Sequence, residues 1–213
     1  MRLLYLFSSD IELHAAFPDG APAGLPVAVT GVGLVDAAIG AVRAIERHRP
    51  AAVVFLGTCG AHRGSGLAIG DLVVASGASL GSGDVVGGRM RLPEILCSRL
   101  QTDEVLSGRF TDVMASAGTS PCNAWVSCTL GITEDDDLAA LLHEQEHAGV
   151  ENLELFPVLR AAEDIPATAL LGVTNIVGVG GGADWRANFR AEMLRLGRIV
   201  TEMERKHASS PLE

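Results

Sequence analysis

Two carboxylates three positions apart, Glu151 and Glu154, stand in the stretch Gly149-Val150-Glu151-Asn152-Leu153-Glu154. An apolar run over residues 167–173 leads into Thr174-Asn175, and another over residues 52–56 leads into Gly57-Thr58-Cys59-Gly60-Ala61. A third, residues 3–7, leads into Ser8-Ser9-Asp10 with Glu12 just beyond. Carboxylate, hydroxyl and amide groups together can hold a small polar ligand by hydrogen bonds, and a carboxylate can also take a proton. In an open α/β sheet, ligands bind outside the carboxyl ends of the strands. The chain is therefore read as organised around a pocket at that end, with Glu154 as one wall. If residues 149–154 open a helix, Glu151 and Glu154 share a face. Carboxylates so placed are also favoured by the helix dipole, which is a purely structural reading of the same pair.

The elements that must position these groups follow from the hydrophobic pattern. Residues 3–7, 27–29, 52–56, 72–75 and 167–173 read as buried strands, and so do residues 113–115 and 125–127. Helical spacing predicts helices over residues 11–17, 34–48, 134–147, 154–162 and 185–207, and a further helix is read over residues 93–101. Pro50 stops the second of these, and Pro157 is read as a first-turn residue or a local kink. The Gly/Ser-rich residues 76–90 are expected to form a mobile loop, and residues 178–182 a flexible one. Gly31-Val32-Gly33 lacks the third glycine of a dinucleotide fingerprint, because Asp36 stands there. Strands alternating with helices predict an α/β fold: a single-domain three-layer sandwich with a central mixed sheet. The domain is placed over residues 1–208, with residues 209–213 a frayed tail.

Composition narrows the function classes. The 213 residues carry a net charge of −10, which argues against nucleic acid and anionic membrane surfaces as partners. Hydrophobic residues make up 48% and the mean hydropathy is +0.30, enough for a large core. Cys59, Cys97, Cys122 and Cys128 form no C-x-x-C pair and have no accompanying His cluster, so no metal site is expected. The first residues are too short an apolar run for a secretory signal. Reduced thiols and a cytoplasmic location are expected, with no membrane span.

Taken in order, several stretches resemble the nucleoside phosphorylase/nucleosidase superfamily: Val29-x-Gly31-Val32-Gly33-x-Val35-x-Ala37-Ala38, Pro50-x-x-Val53, Gly57-Thr58-Cys59-Gly60, Ile69-Gly70-Asp71-Leu72-Val73, residues 150–154 and the strand ending at Asn175. Phosphorylase members carry an Arg two residues before the Gly-Thr/Ser-Cys-Gly turn, where this chain has Phe55, and no Gly-Asp-Pro-x-Arg phosphate loop is present. Phosphate needs cations around it, so the resemblance implies water as the nucleophile. Adenine-specific nucleosidases have Glu-Met-Glu and a later Asp. Glu151-Asn152-Leu153-Glu154, Asn175 and Asp184-Trp185-Arg186 instead resemble the futalosine hydrolase family, which releases hypoxanthine from futalosine in an alternative menaquinone pathway.

That resemblance implies the site. Glu12 matches the carboxylate that activates water, and Asn175 the group that hydrogen-bonds the leaving base. Thr58, Gly60, Gly131, Ile132, Asn152, Leu153 and Glu154 are implied as substrate-binding, with Glu154 on the ribose hydroxyls and Leu153 beneath the sugar. The substrate is a small purine nucleoside, no cofactor or metal is needed, and a homodimer is implied. The alternatives are a methylthioadenosine/S-adenosylhomocysteine nucleosidase, a purine nucleoside phosphorylase and a non-catalytic nucleoside binder.

Overall fold

The apolar runs become strands that are buried along most of their length. In a computed structural model, which describes residues 2–209 and side chains through Lys206, the chain runs β1 (Leu3–Phe7), α1 (Asp10–Ala16), β2 (Val27–Val29), α2 (Gly33–His48), β3 (Ala52–Ala61), β4 (Leu72–Gly81), α3 (Gly83–Val86), β5 (Arg99–Gln101), α4 (Glu104–Ser116), β6 (Cys122–Thr129), α5 (Asp136–Glu146), β7 (Val150–Asn152), α6 (Leu155–Ala161), β8 (Ala167–Ile176) and α7 (Gly181–Ser209). The sheet order is β2-β1-β3-β7-β6-β4-β5, and β8 joins β3 to β4. β1, β2, β3 and β8 are parallel. β4, β6 and β7 are parallel to one another and antiparallel to β3 and β8. Strands β3, β8, β4, β6 and β7 therefore close on themselves, and this mixed sheet is the one predicted.

Helices cover both faces. One core joins Ala41 and Ala44 of α2 and Leu155, Val158 and Leu159 of α6 to Val53, Phe55 and Leu171 of the sheet. The other joins Phe110 and Met114 of α4 and Met193, Leu196 and Val200 of α7 to Tyr5, Val54 and Leu170. Each fully buried aromatic or branched side chain here contributes about 1.5–3 kcal/mol. Among the described residues, no helix is long and apolar enough to cross a membrane, and no group of three or more His, Cys, Asp or Glu is placed to hold a metal ion. The four cysteines are free thiols. The tail expected over residues 209–213 lies, from residue 210 on, outside the described residues.

Several local expectations are corrected. Residues 113–115 are not a strand but the end of α4, where Leu106, Phe110, Val113 and Met114 share a buried stripe. The three-residue window was too short to show that period. Residues 76–90 are not one loop: β4 continues to Gly81 and α3 follows. Gly77 serves close packing rather than mobility, because a Cβ there would lie 2.3 Å from the Trp125 ring and 2.5 Å from the Leu100 carbonyl oxygen. Residues 93–101 hold a turn and β5 instead of a helix. Gly181 and Gly182 belong to α7 rather than to the loop before it.

The correction with most bearing on chemistry concerns residues 149–154. They do not open a helix: Val150–Asn152 is β7, pairing with β3 on one side and β6 on the other. Glu154 takes the cap position of α6, whose third residue is Pro157, a first-turn placement. Strand alternation sends Glu151 and Asn152 to opposite faces of the sheet. The two glutamates therefore serve different surroundings.

Candidate active site

Glu12 is delivered by α1. The Ser9 side chain caps that helix by accepting from the Glu12 N–H at 3.3 Å, and the turn swings Glu12 toward the end of β3. Its carboxylate is buried, 5% exposed. Oε1 accepts from the Thr58 N–H at 3.1 Å and the Thr58 hydroxyl at 2.9 Å, and Oε2 accepts from the Ser8 hydroxyl at 2.6 Å. Burial pushes its pKa up; the hydrogen bonds from Ser8 and Thr58 oppose the rise without cancelling it. Oε1 has both lone pairs engaged by Thr58, and Oε2 faces Ser8, whose backbone also favours the charged form. A Cβ at Gly57 would stand 3.8 Å from Oε2.

Glu154 is held from three sides. Oε1 accepts from the Gly33 N–H, the first of α2, at 2.9 Å, and Oε2 accepts from the Asn152 side-chain amide at 3.0 Å. Asn152 also donates to the Thr58 carbonyl at 3.0 Å, and its own oxygen accepts from the N–H groups of Glu154 and Leu155 at 2.9 and 2.8 Å. One amide thus ties β3, β7 and the start of α6 together. The Gly31-Val32-Gly33 turn presents an N–H to this carboxylate, and Gly33 needs its φ of 81° to do so. Burial, with the Gly33 bond opposing it and the charge of Glu12 adding to it, pushes the Glu154 pKa up to about 7.

Asn175 lies at the end of β8, paired with Gly60 of β3 just past a bulge in which Thr174 is the extra residue. Its Oδ1 accepts from the Thr174 hydroxyl at 2.9 Å, and its Nδ2 reaches the Ile176 carbonyl at 3.4 Å. That pattern sets which end of the amide is the donor and leaves one N–H for a ligand. Gly60 makes room for it, because a Cβ there would lie 2.7 Å from Nδ2.

Gly131 and Ile132 sit apart from this network, exposed on the connection between β6 and α5. They are tied in at one end, where the Thr133 N–H and hydroxyl both donate to the buried Glu151. The Gly178 N–H donates to the Thr133 carbonyl at 3.1 Å, which sets this loop against the segment after Asn175. Glu151 is therefore a loop anchor on the opposite face from Asn152. Leu153 is half-buried and bridges β7 and α6. Sequence reading missed the Ser8 hydroxyl, the Thr133 anchor and the Trp185 indole N–H, which donates to the Thr58 hydroxyl at 3.0 Å. Ser8 stood in a strand-end Ser-Ser-Asp run and Trp185 in the Asp184-Trp185-Arg186 stretch, but neither was given a role.

The fold has close structural counterparts. Futalosine hydrolase of Helicobacter pylori superposes with a TM-score of 0.84 at 15% identity, covering 96% of this chain and 98% of that one. A putative 5′-methylthioadenosine/S-adenosylhomocysteine nucleosidase from Francisella philomiragia gives 0.84 at 14% identity, with 96% and 99% covered. The same nucleosidase from Neisseria meningitidis, in complex with methylthio-immucillin-A, gives 0.83 at 14%, with 97% and 100% covered. Comparison with curated protein sequences finds no match. The sequence profile of the phosphorylase superfamily matches residues 25–203, well over half of the chain, and the protein belongs to that superfamily.

Proposed function

We propose that this protein is a purine nucleosidase that hydrolyses the N-glycosidic bond with water as nucleophile, acting on a futalosine-type 6-oxopurine nucleoside. The observation that carries this reading is a pair of buried carboxylates, Glu12 and Glu154, linked through Thr58 and Asn152 in a hydrogen-bond network that includes no Lys or Arg. A phosphate dianion between two carboxylates without cations would be repelled, whereas neutral water would not. Arg43 and Arg47 do line a cleft of about 370 Å³ between β2 and α2, but Glu12, Thr58, Glu154 and Asn175 do not line it.

In this mechanism the Glu12 carboxylate takes a proton from water as the water oxygen bonds to C1′. The C1′–N9 pair leaves with the base through an oxocarbenium-like sugar. Glu154 accepts the ribose hydroxyls, and the free Asn175 N–H donates to the base as negative charge builds there. The structures similar to this chain include both a futalosine hydrolase and methylthioadenosine/S-adenosylhomocysteine nucleosidases. The test is a nucleoside panel with and without phosphate, reading the released base. Phosphate-independent release, fastest from 6-oxopurine nucleosides, is expected. Faster 6-aminopurine release favours the methylthioadenosine reading, phosphate dependence favours a phosphorylase, and binding without release favours a nucleoside binder.

A pH profile probes Glu154. Its raised pKa means that the carboxylate form, the acceptor for two hydroxyls, fills as pH rises through about 7. kcat/KM is therefore expected to climb between pH 6 and pH 8, and in Glu154→Gln the component near pH 7 should be lost, leaving the limb set by Glu12. The stability contribution has the opposite sense. The fold favours the neutral form, so that contribution is complete below the ordinary value of 4.5 and is lost as pH rises through about 7.

A further inference from the structure

We propose that Trp185 is a positioning residue, whose indole N–H engages the Thr58 hydroxyl oxygen and so commits the hydroxyl proton to Glu12. The inference rests on the proposed role of Glu12 as the base. An indole N–H can only donate. Its 3.0 Å contact with Thr58 Oγ1 makes that oxygen an acceptor. The single Thr58 proton is then left for Glu12 Oε1 at 2.9 Å. Without Trp185 only the bond to Glu12 sets the rotation of that hydroxyl. With it, Oε1 receives both Thr58 donors while Oε2 faces Ser8, which holds the carboxylate in a single orientation.

Trp185 is itself held in place. Its ring stacks on Phe189 one helical turn later, with centroids 4.6 Å apart and planes 9° from parallel, and Arg190 lies over Phe189. On the same turn of α7, the Asn188 amide donates to the Thr174 carbonyl at 3.0 Å. One helix start therefore braces both Thr58 and the residue beside Asn175. The charge of Glu12 acts on Glu154 across the site and on Cys59 of β3, and Glu192 of α7 also acts on Cys59. None of these is a cation, so donated hydrogen bonds are what oppose the effect of burial on the Glu12 carboxylate.

The test is Trp185→Phe, which keeps a stacking ring and removes the donor, with a thermal melt to confirm folding. Two readouts are taken. The first is the Glu12 side-chain carboxyl titration followed by carbon NMR. The second is the kcat–pH profile with the nucleoside found best in the panel. A Thr58 hydroxyl no longer held toward Glu12 bonds its charged form less well, which should raise the Glu12 pKa and move the acid limb of kcat the same way. kcat should fall about 10-fold with KM little changed. In a Thr58→Val background, Trp185→Phe should add nothing further. An unmoved Glu12 titration, or full additivity with Thr58→Val, overturns the relay. A shifted titration with turnover intact supports the relay and removes Glu12 from the chemistry, so the two readings fail separately.

Discussion

Glu12→Gln is expected to retain nucleoside binding and lose about 10²-fold or more in turnover. The side chain is isosteric, so Ser8 and Thr58 can still meet it. Its amide has no basic lone pair at neutral pH, and the atom that replaces Oε2 either donates or accepts only weakly. The affected step is proton removal from water. kcat and kcat/KM should therefore fall together while ligand affinity, measured by calorimetry, stays within about threefold. Turnover within a few-fold of wild type would remove Glu12 from the mechanism, because a buried residue with three hydrogen bonds can equally be structural. Relief of a buried carboxylate is expected to leave the variant at least as stable as wild type at pH 8, since the fold already disfavours the charged form.

The second large effect is on base choice. Wild type is expected to prefer 6-oxopurine over 6-aminopurine nucleosides, and Asn175→Asp to cut that ratio of kcat/KM by about 10-fold or more. A 6-oxopurine presents N7 and O6 as adjacent acceptors, which suit an amide donor. A 6-aminopurine presents a donor beside N7, which suits a carboxyl that can share a proton. The Ile176 carbonyl, which can only accept, stands 3.4 Å from the Asn175 Nδ2, so a flipped amide would set two acceptors against each other. Asp accepts the same Thr174 bond through either oxygen and so adapts. If wild type prefers the aminopurine, or the ratio is unchanged in Asn175→Asp, Asn175 does not read the base and the 6-oxopurine reading falls.

Much of this was legible in one dimension because it depends on near neighbours. The buried strands were continuous apolar runs, and the long helix α7 showed Phe189, Met193, Leu196, Val200 and Met203 at spacings of three and four. Polar groups at the ends of such strands point to a ligand end of an α/β sheet; that rule singles out Glu12, Thr58 and Asn175, and the family resemblance supplies the roles expected of them. Short elements were misread where their identity is set by partners. Residues 113–115 are helical because of Leu106 and Phe110 upstream, and residues 150–152 are a strand because β3 and β6 flank them.

What the chain by itself determined was the fold class, the strands and helices with long periodic patterns, and the candidate groups at the strand ends. What only the tertiary structure decided was the division of labour among them. Glu151 and Glu154 look equivalent at a spacing of three, yet the β7 pairing turns one toward Thr133 and the other toward Gly33 and Asn152. Trp185 lies 127 positions from Thr58, and no local pattern connects an indole N–H to that hydroxyl. Hydrogen-bond direction and burial arise from groups brought together across the sheet. They set the pKa of Glu154, the orientation of the Glu12 carboxylate and the donor end of Asn175, and none of these is a property of a residue and its neighbours in sequence.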